Sequence, residues 1–125
     1  MIMTLFQVAL GGAVGAMLRF GAGLAVLRIQ GPGMPLGILG VNVLGSFLMG
    51  LFAIWSLHRG AEHLNPLVMT GLLGGFTTFS AFSLEAFTLF ERGQAGTAAL
   101  YVLLSVLVSI GAVALGVWIA RGVWA

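Results

Sequence analysis

Four hydroxyl-bearing residues in the last third of the chain, Thr97, Tyr101, Ser105 and Ser109, recur every four positions. Four residues advance a helix by slightly more than one turn, so these hydroxyls form one slowly drifting stripe. Their surroundings are almost wholly apolar. Single Ser and Thr residues in such helices often bond their own carbonyls or glue a neighbouring helix. Four on one face favour a polar track along which a small solute could move. Asn42 is the second polar feature, with Gly45 and Ser46 one turn on. Its amide brings two N–H donors that are costly to leave unpaired in hydrocarbon. It reads as interhelical glue or as a donor facing an ion path.

The run from Gly71 to Ser83 is the third feature. Gly71, Gly74 and Gly75 weaken a helix, and Thr77, Thr78, Ser80 and Ser83 follow closely. A break is expected over Gly74–Ser80. Broken helices at membrane depth are tolerated where the freed backbone lines a cavity or coordinates an ion. Freed carbonyls suit a cation, and a half-helix N-terminus suits an anion. Phe76, Phe79 and Phe82 recur every three residues. Such a row is ordinarily packing, but a ring edge carries partial positive charge and can also face an anion. Glu85 lies about two turns from the end of the same segment, and an intramembrane carboxylate is a functional candidate. It also reads as an ion-pair partner of Arg19 or as a hydrated vestibule group. Arg19 either snorkels to the interface or attracts anions at a pore mouth.

Other chemistries find no support. His58 and His63 share a loop without enough nearby ligands for a metal site, and the chain has no Cys. No Ser-His-Asp arrangement is suggested, so an enzyme is not expected. The net charge of +2 rests on eight charged residues and does not suggest nucleic-acid binding. The Gly-x-x-x-Gly spacings at Gly11–Gly15 and Gly71–Gly75 signal close helix contact, not phosphate binding.

These residues need helices to hold them, and the composition says in what solvent. Hydrophobic residues make up 60% of the 125 positions and charged residues 6%, against about 25% charged in soluble domains. So short a soluble fold could not hide that much apolar surface. Four stretches have the ~20 apolar residues needed to cross a bilayer: about 2–27, 37–57, 66–90 and 95–120. The N-terminus lacks a basic region, so the first stretch reads as a retained helix. Gln30–Pro35 reads as a turn, and Asn65-Pro66 as a helix start with Asn as N-cap. The expected architecture is an all-α, single-domain, four-helix membrane protein.

With four spans, Arg59 and Arg121 lie on one side, and Arg28 and Arg92 on the other with Arg19 nearby. The arginine bias that sets orientation is nearly nil. Insertion both ways up and pairing as an antiparallel homodimer are therefore expected. A second copy would also wall in polar groups that four short helices cannot enclose.

The segments Gly11-Gly12-Ala13-Val14-Gly15-Ala16-Met17-Leu18-Arg19-Phe20, Gly37-Ile38-Leu39-Gly40-Val41-Asn42 and Gly71 through Ser83 resemble the Fluc (CrcB) fluoride channels. The resemblance covers nearly the whole chain, and its Gly-Gly-x-Thr-Thr-Phe-Ser-x-Phe-Ser run is long and specific. It implies a dual-topology homodimer with two antiparallel pores for passive fluoride export across the plasma membrane. By position it implies pore roles for Asn42, Phe79, Phe82, Ser83, Tyr101, Ser105 and Ser109. It implies vestibule charges at Arg19 and Glu85, and a central structural Na+ on the backbone carbonyls of Gly74 and Thr77. Ile38 departs from the hydroxyl that some relatives carry. The rival reading is a small four-helix proton-coupled drug antiporter, which needs a carboxylate deep in the first helix, where this chain has none. A purely structural membrane subunit leaves the hydroxyl spacing unexplained.

Overall fold

The computed structural model describes residues 1–31 and 35–124. Helix α1 spans Ile2–Gln30 and α2 spans Leu36–Arg59. A third span follows, in pieces. A 3-10 turn at Glu62–Leu64 leads into a π-helical segment, Pro66–Leu73, then a single turn α3, Gly74–Phe76. Helix α4, Phe79–Glu91, completes it, and α5 runs from Ala95 to Trp124. All four spans are long and apolar enough to cross a membrane.

The helices outrun the apolar stretches because their ends are set by backbone chemistry, not hydropathy. Helix α2 continues through His58 and Arg59 and stops at Gly60, whose left-handed φ of 63° frees its N–H to cap the Ser56 carbonyl. Helix α1 stops at Gly31, where φ is 79°. The remainder of the expected Gln30–Pro35 turn, Pro32 to Met34, lies outside the described residues. Asn65 does not act as the N-cap that Asn65-Pro66 suggests. It is itself helical (φ −57°, ψ −41°) without a side-chain cap, and its Oδ1 is buried without a partner. The chain is already winding from Glu62, so Asn65 never takes the extended conformation that a cap needs.

Glycine faces dictate the packing. A Cβ on Gly11 or Gly15 would collide with the Leu67 or Leu72 carbonyl, and one on Gly75 would approach Gly12. Helix α1 and the first half of the third span thus meet backbone to backbone, as Gly-x-x-x-Gly spacing allows. Gly50 of α2 and Gly116 of α5 form a second such seam, against the Val113 and Phe47 carbonyls. The second seam aligns Phe47 and Gly50 with Val113–Val117, and Asn42 and Ser46 share a groove with Ser105 and Ser109, so α2 and α5 run parallel. The interior is correspondingly thin. Its main cluster is Phe82, Leu89, Ala98 and Tyr101. Large apolar side chains such as Leu107 and Trp118 face outward, as lipid permits and water does not.

Candidate functional site

The site is organised by the break in the third span. Thr77 (φ −90°, ψ 159°) and Thr78 (φ −153°, ψ 125°) are extended, and helix winding resumes at Phe79. Thr78 is the N-cap of α4, its Oγ1 accepting from the Ala81 N–H at 3.1 Å. Asn42 reaches across from α2 and closes the gap from both sides. Its Oδ1 accepts from the Thr78 N–H at 2.8 Å, and its Nδ2 donates to the Thr78 carbonyl at 3.0 Å. A side-chain amide here replaces a piece of lost helix ladder.

The same bonds have a consequence for the carbonyls. In an unbroken helix the Thr78 N–H would donate to Gly74 O and the Ala81 N–H to Thr77 O. Both donors are engaged elsewhere, on Asn42 and on the Thr78 side chain. The Gly74 and Thr77 carbonyls are therefore relieved of their regular partners, which is the donor chemistry that suits an alkali cation. The next carbonyl, Gly75 O, accepts from Arg19 Nε at 3.1 Å. Two such carbonyls fit part of the oxygen shell that an alkali cation takes. Among the described residues, no group of three His, Asp or Glu side chains is placed to hold a metal.

Beside the break lies an open groove of 330 Å³ lined by Asn42, Ser46, Thr77, Thr78, Phe79, Phe82, Ser105, Val106, Ser109 and Ile110. Five expected site residues outside the carbonyl pair are known by their side chains here: Asn42, Phe79, Phe82, Ser105 and Ser109. The Ser105 and Ser109 hydroxyls are buried yet have no hydrogen-bond partner, as is the Tyr101 hydroxyl. Tyr101 and Ser105 approach one another without reaching hydrogen-bond geometry. A Ser in a membrane helix ordinarily satisfies itself on its own backbone. Thr77, Ser83 and Thr88 do so, on Leu73, Phe79 and Leu84. The α5 stripe stands apart as unspent hydrogen-bonding capacity.

The two phenylalanines are not equivalent. Phe82 is buried between Phe79 (ring centroids 5.4 Å) and Tyr101 (5.3 Å), whereas Phe79 is 77% exposed and projects from the open side of the groove. Tyr101 itself is wholly buried behind Phe82 and does not line the groove. Ser83 lies on the outer face of α4, outside it. Glu85 lines a different concavity, and Arg19 is turned to the break. Reasoning from sequence missed the roles of Thr78 as cap and clamp partner. The Thr-Thr pair after two glycines carries that signal, because an N-cap needs an extended Ser or Thr. The apolar liners Val106 and Ile110 carry none.

A four-span helical membrane protein with a polar, aromatic-flanked groove at a broken helix has the anatomy of a small-solute conduction path. Comparison with known proteins agrees. The family model described as CrcB-like protein, Camphor Resistance (CrcB), matches residues 6–117. A protein of Ruegeria sp. (strain TM1040) named fluoride-specific ion channel FluC is 62% identical over 98% of both chains. One of the same name from Jannaschia sp. (strain CCS1) is 64% identical over 80% of this chain and 100% of its own. A third, from Paracoccus denitrificans (strain Pd 1222), is 52% identical over 98% of each. The chain belongs to the CrcB family and is a multi-pass membrane protein.

Proposed function

We propose that this chain is a fluoride-selective channel that carries fluoride passively out of the cell across the plasma membrane. The observation that carries the reading is the row of buried, unpartnered hydroxyls at Ser105 and Ser109, in one groove with Asn42, Phe79 and Phe82. Fluoride is small and strongly hydrated, so a pore must replace its water with donors. Hydroxyls supply donors without a fixed cation that would hold the ion too long, and conduction requires release as much as binding. Phe ring edges offer weak positive potential on the remaining side. A groove narrow enough to bring both together favours fluoride over the larger chloride.

The groove is open along one side, and a second, inverted copy closes it in this reading. The functional unit is then an antiparallel, dual-topology homodimer with two pores. Phe79, exposed in one chain, would complete the partner's pore. Na+ would sit between the copies on the Gly74 and Thr77 carbonyls, which lack their regular helical donors. Arg19 and Glu85 would set the charge of the approaches, and Ser83 and Tyr101 would border the path.

Reconstitution into liposomes with a fluoride electrode is the test. Fluoride efflux exceeding chloride efflux is expected; equal permeation, or proton-coupled export of an organic cation without fluoride current, overturns the reading. A C-terminal reporter is expected on both membrane faces, and a single face removes dual topology. Replacing Na+ with a larger organic cation is expected to weaken the dimer. A dimer indifferent to that exchange removes the shared cation.

A further inference from the structure

A second concavity, also of 330 Å³, lies where α1 ends and α2 begins, against the last turns of α4. Among the described residues, Glu85 and Arg92 are its only charged liners, and Gln30 is the only other polar side chain. Glu85 lies on α4 and Arg92 is its C-cap residue, seven positions on, and both line this concavity. The wall between this concavity and the hydroxyl groove is a single cluster. Ile38 lines the concavity and packs on the cluster that contains Phe82 and Tyr101, while Phe82 lines the groove. The Glu85 carboxylate lies within electrostatic reach of the Tyr101 phenol. The stripe Ser109, Ser105, Tyr101 thus runs along α5 toward the end of the bundle at which Glu85 and Arg92 line the concavity.

A carboxylate on the approach repels an anion, and a cation beside it offsets that repulsion. Arg19 is committed through Nε to the Gly75 carbonyl. Arg28 and Glu91 are exposed at the same end of the bundle but line neither concavity. We propose that the Glu85–Arg92 concavity is an entrance to the anion path, and that Arg92 draws the anion in against the charge of Glu85. This rests on the fluoride-conduction reading. Arg92 also has a plain structural use, since it ends α4 and a cation is favourable at a helix C-terminus. The test must separate the two.

Fluoride current is measured in planar bilayers of uncharged lipid for the full chain and for Arg92→Gln, Arg92→Lys and Arg28→Gln. Ionic strength is set with an impermeant salt at about 10 mM and about 1 M, where the screening length falls from about 30 Å to about 3 Å. Arg92→Gln is expected to lower current by a factor of about three to ten at low ionic strength, and by little at high. Arg92→Lys is expected to restore it, and Arg28→Gln to have the smaller effect. A loss that is equal at both ionic strengths, or that lysine does not repair, makes Arg92 a structural cap and overturns the proposal. So does an Arg28→Gln effect as large as that of Arg92→Gln. An unchanged Arg92→Gln current overturns it too. A parent chain that carries no fluoride current fails the underlying reading instead, and is distinguishable from all of these.

Discussion

Asn42 of α2 holds both the N–H and the carbonyl of Thr78, at 2.8 and 3.0 Å, at the point where the third span loses its helical ladder. One amide can do this because it presents an acceptor and a donor side by side. An Asp cannot: its second oxygen would face the Thr78 carbonyl. Asn42→Asp and Asn42→Ala are both expected to destabilise the fold by about 1–3 kcal/mol, as buried polar groups lose their partners. Thermal unfolding in detergent reads this directly. Fluoride flux is expected to fall about tenfold or more, because the clamp positions Phe79 and the start of α4. If both variants unfold at the parent temperature, the clamp carries no stability.

The phenylalanines should separate by burial. Phe82 packs on Tyr101, and Phe79 is exposed in the single chain. Phe82→Ile is expected to reduce stability by about 1 kcal/mol through lost contact area, as well as to reduce flux. Phe79→Ile is expected to reduce flux with stability nearly intact. Paired melting and flux measurements check this, and the reverse ranking would contradict the packing described.

Serines should separate by whether their hydroxyls are already used. Ser83 donates to its own helix at Phe79 O, at 2.9 Å, and faces outward, so Ser83→Ala is expected to conduct nearly normally. Ser105 has a buried hydroxyl with no partner. Removing it relieves an unsatisfied group, so Ser105→Ala is expected to be as stable as the parent or slightly more so, while conducting less. Lower stability together with normal flux would show that the hydroxyl serves the fold and not the ion.

Glycine seams give a prediction independent of conduction. A methyl group on Gly15 would meet the Leu72 carbonyl, whereas nothing lies near a Cβ on Gly21 of the same helix. Gly15→Ala is expected to destabilise by about 1–3 kcal/mol through overpacking. Gly21→Ala is expected to be neutral or to stabilise by about 0.5–1 kcal/mol from helix propensity. Melting temperatures of the two variants check the seam.

The sequence by itself determined the solvent, the number of spans and most of the groove's chemistry. Hydropathy is additive along a chain, so four apolar stretches could be read without knowing what packs on what. The four-residue spacing of Tyr101, Ser105 and Ser109 survives into space because a helix preserves it. Tertiary structure decided which partner each polar atom has, since that depends on which helix lies opposite. It gave Asn42, which sequence left as interhelical glue or as a donor facing an ion path, an interhelical clamp on Thr78, and it took Arg19 to Gly75. It also left the hydroxyls of α5 unpaired while those of Thr77 and Ser83 closed on their own backbone. Those assignments need two glycine seams to bring four helices to the right depth, and local pattern does not encode that depth.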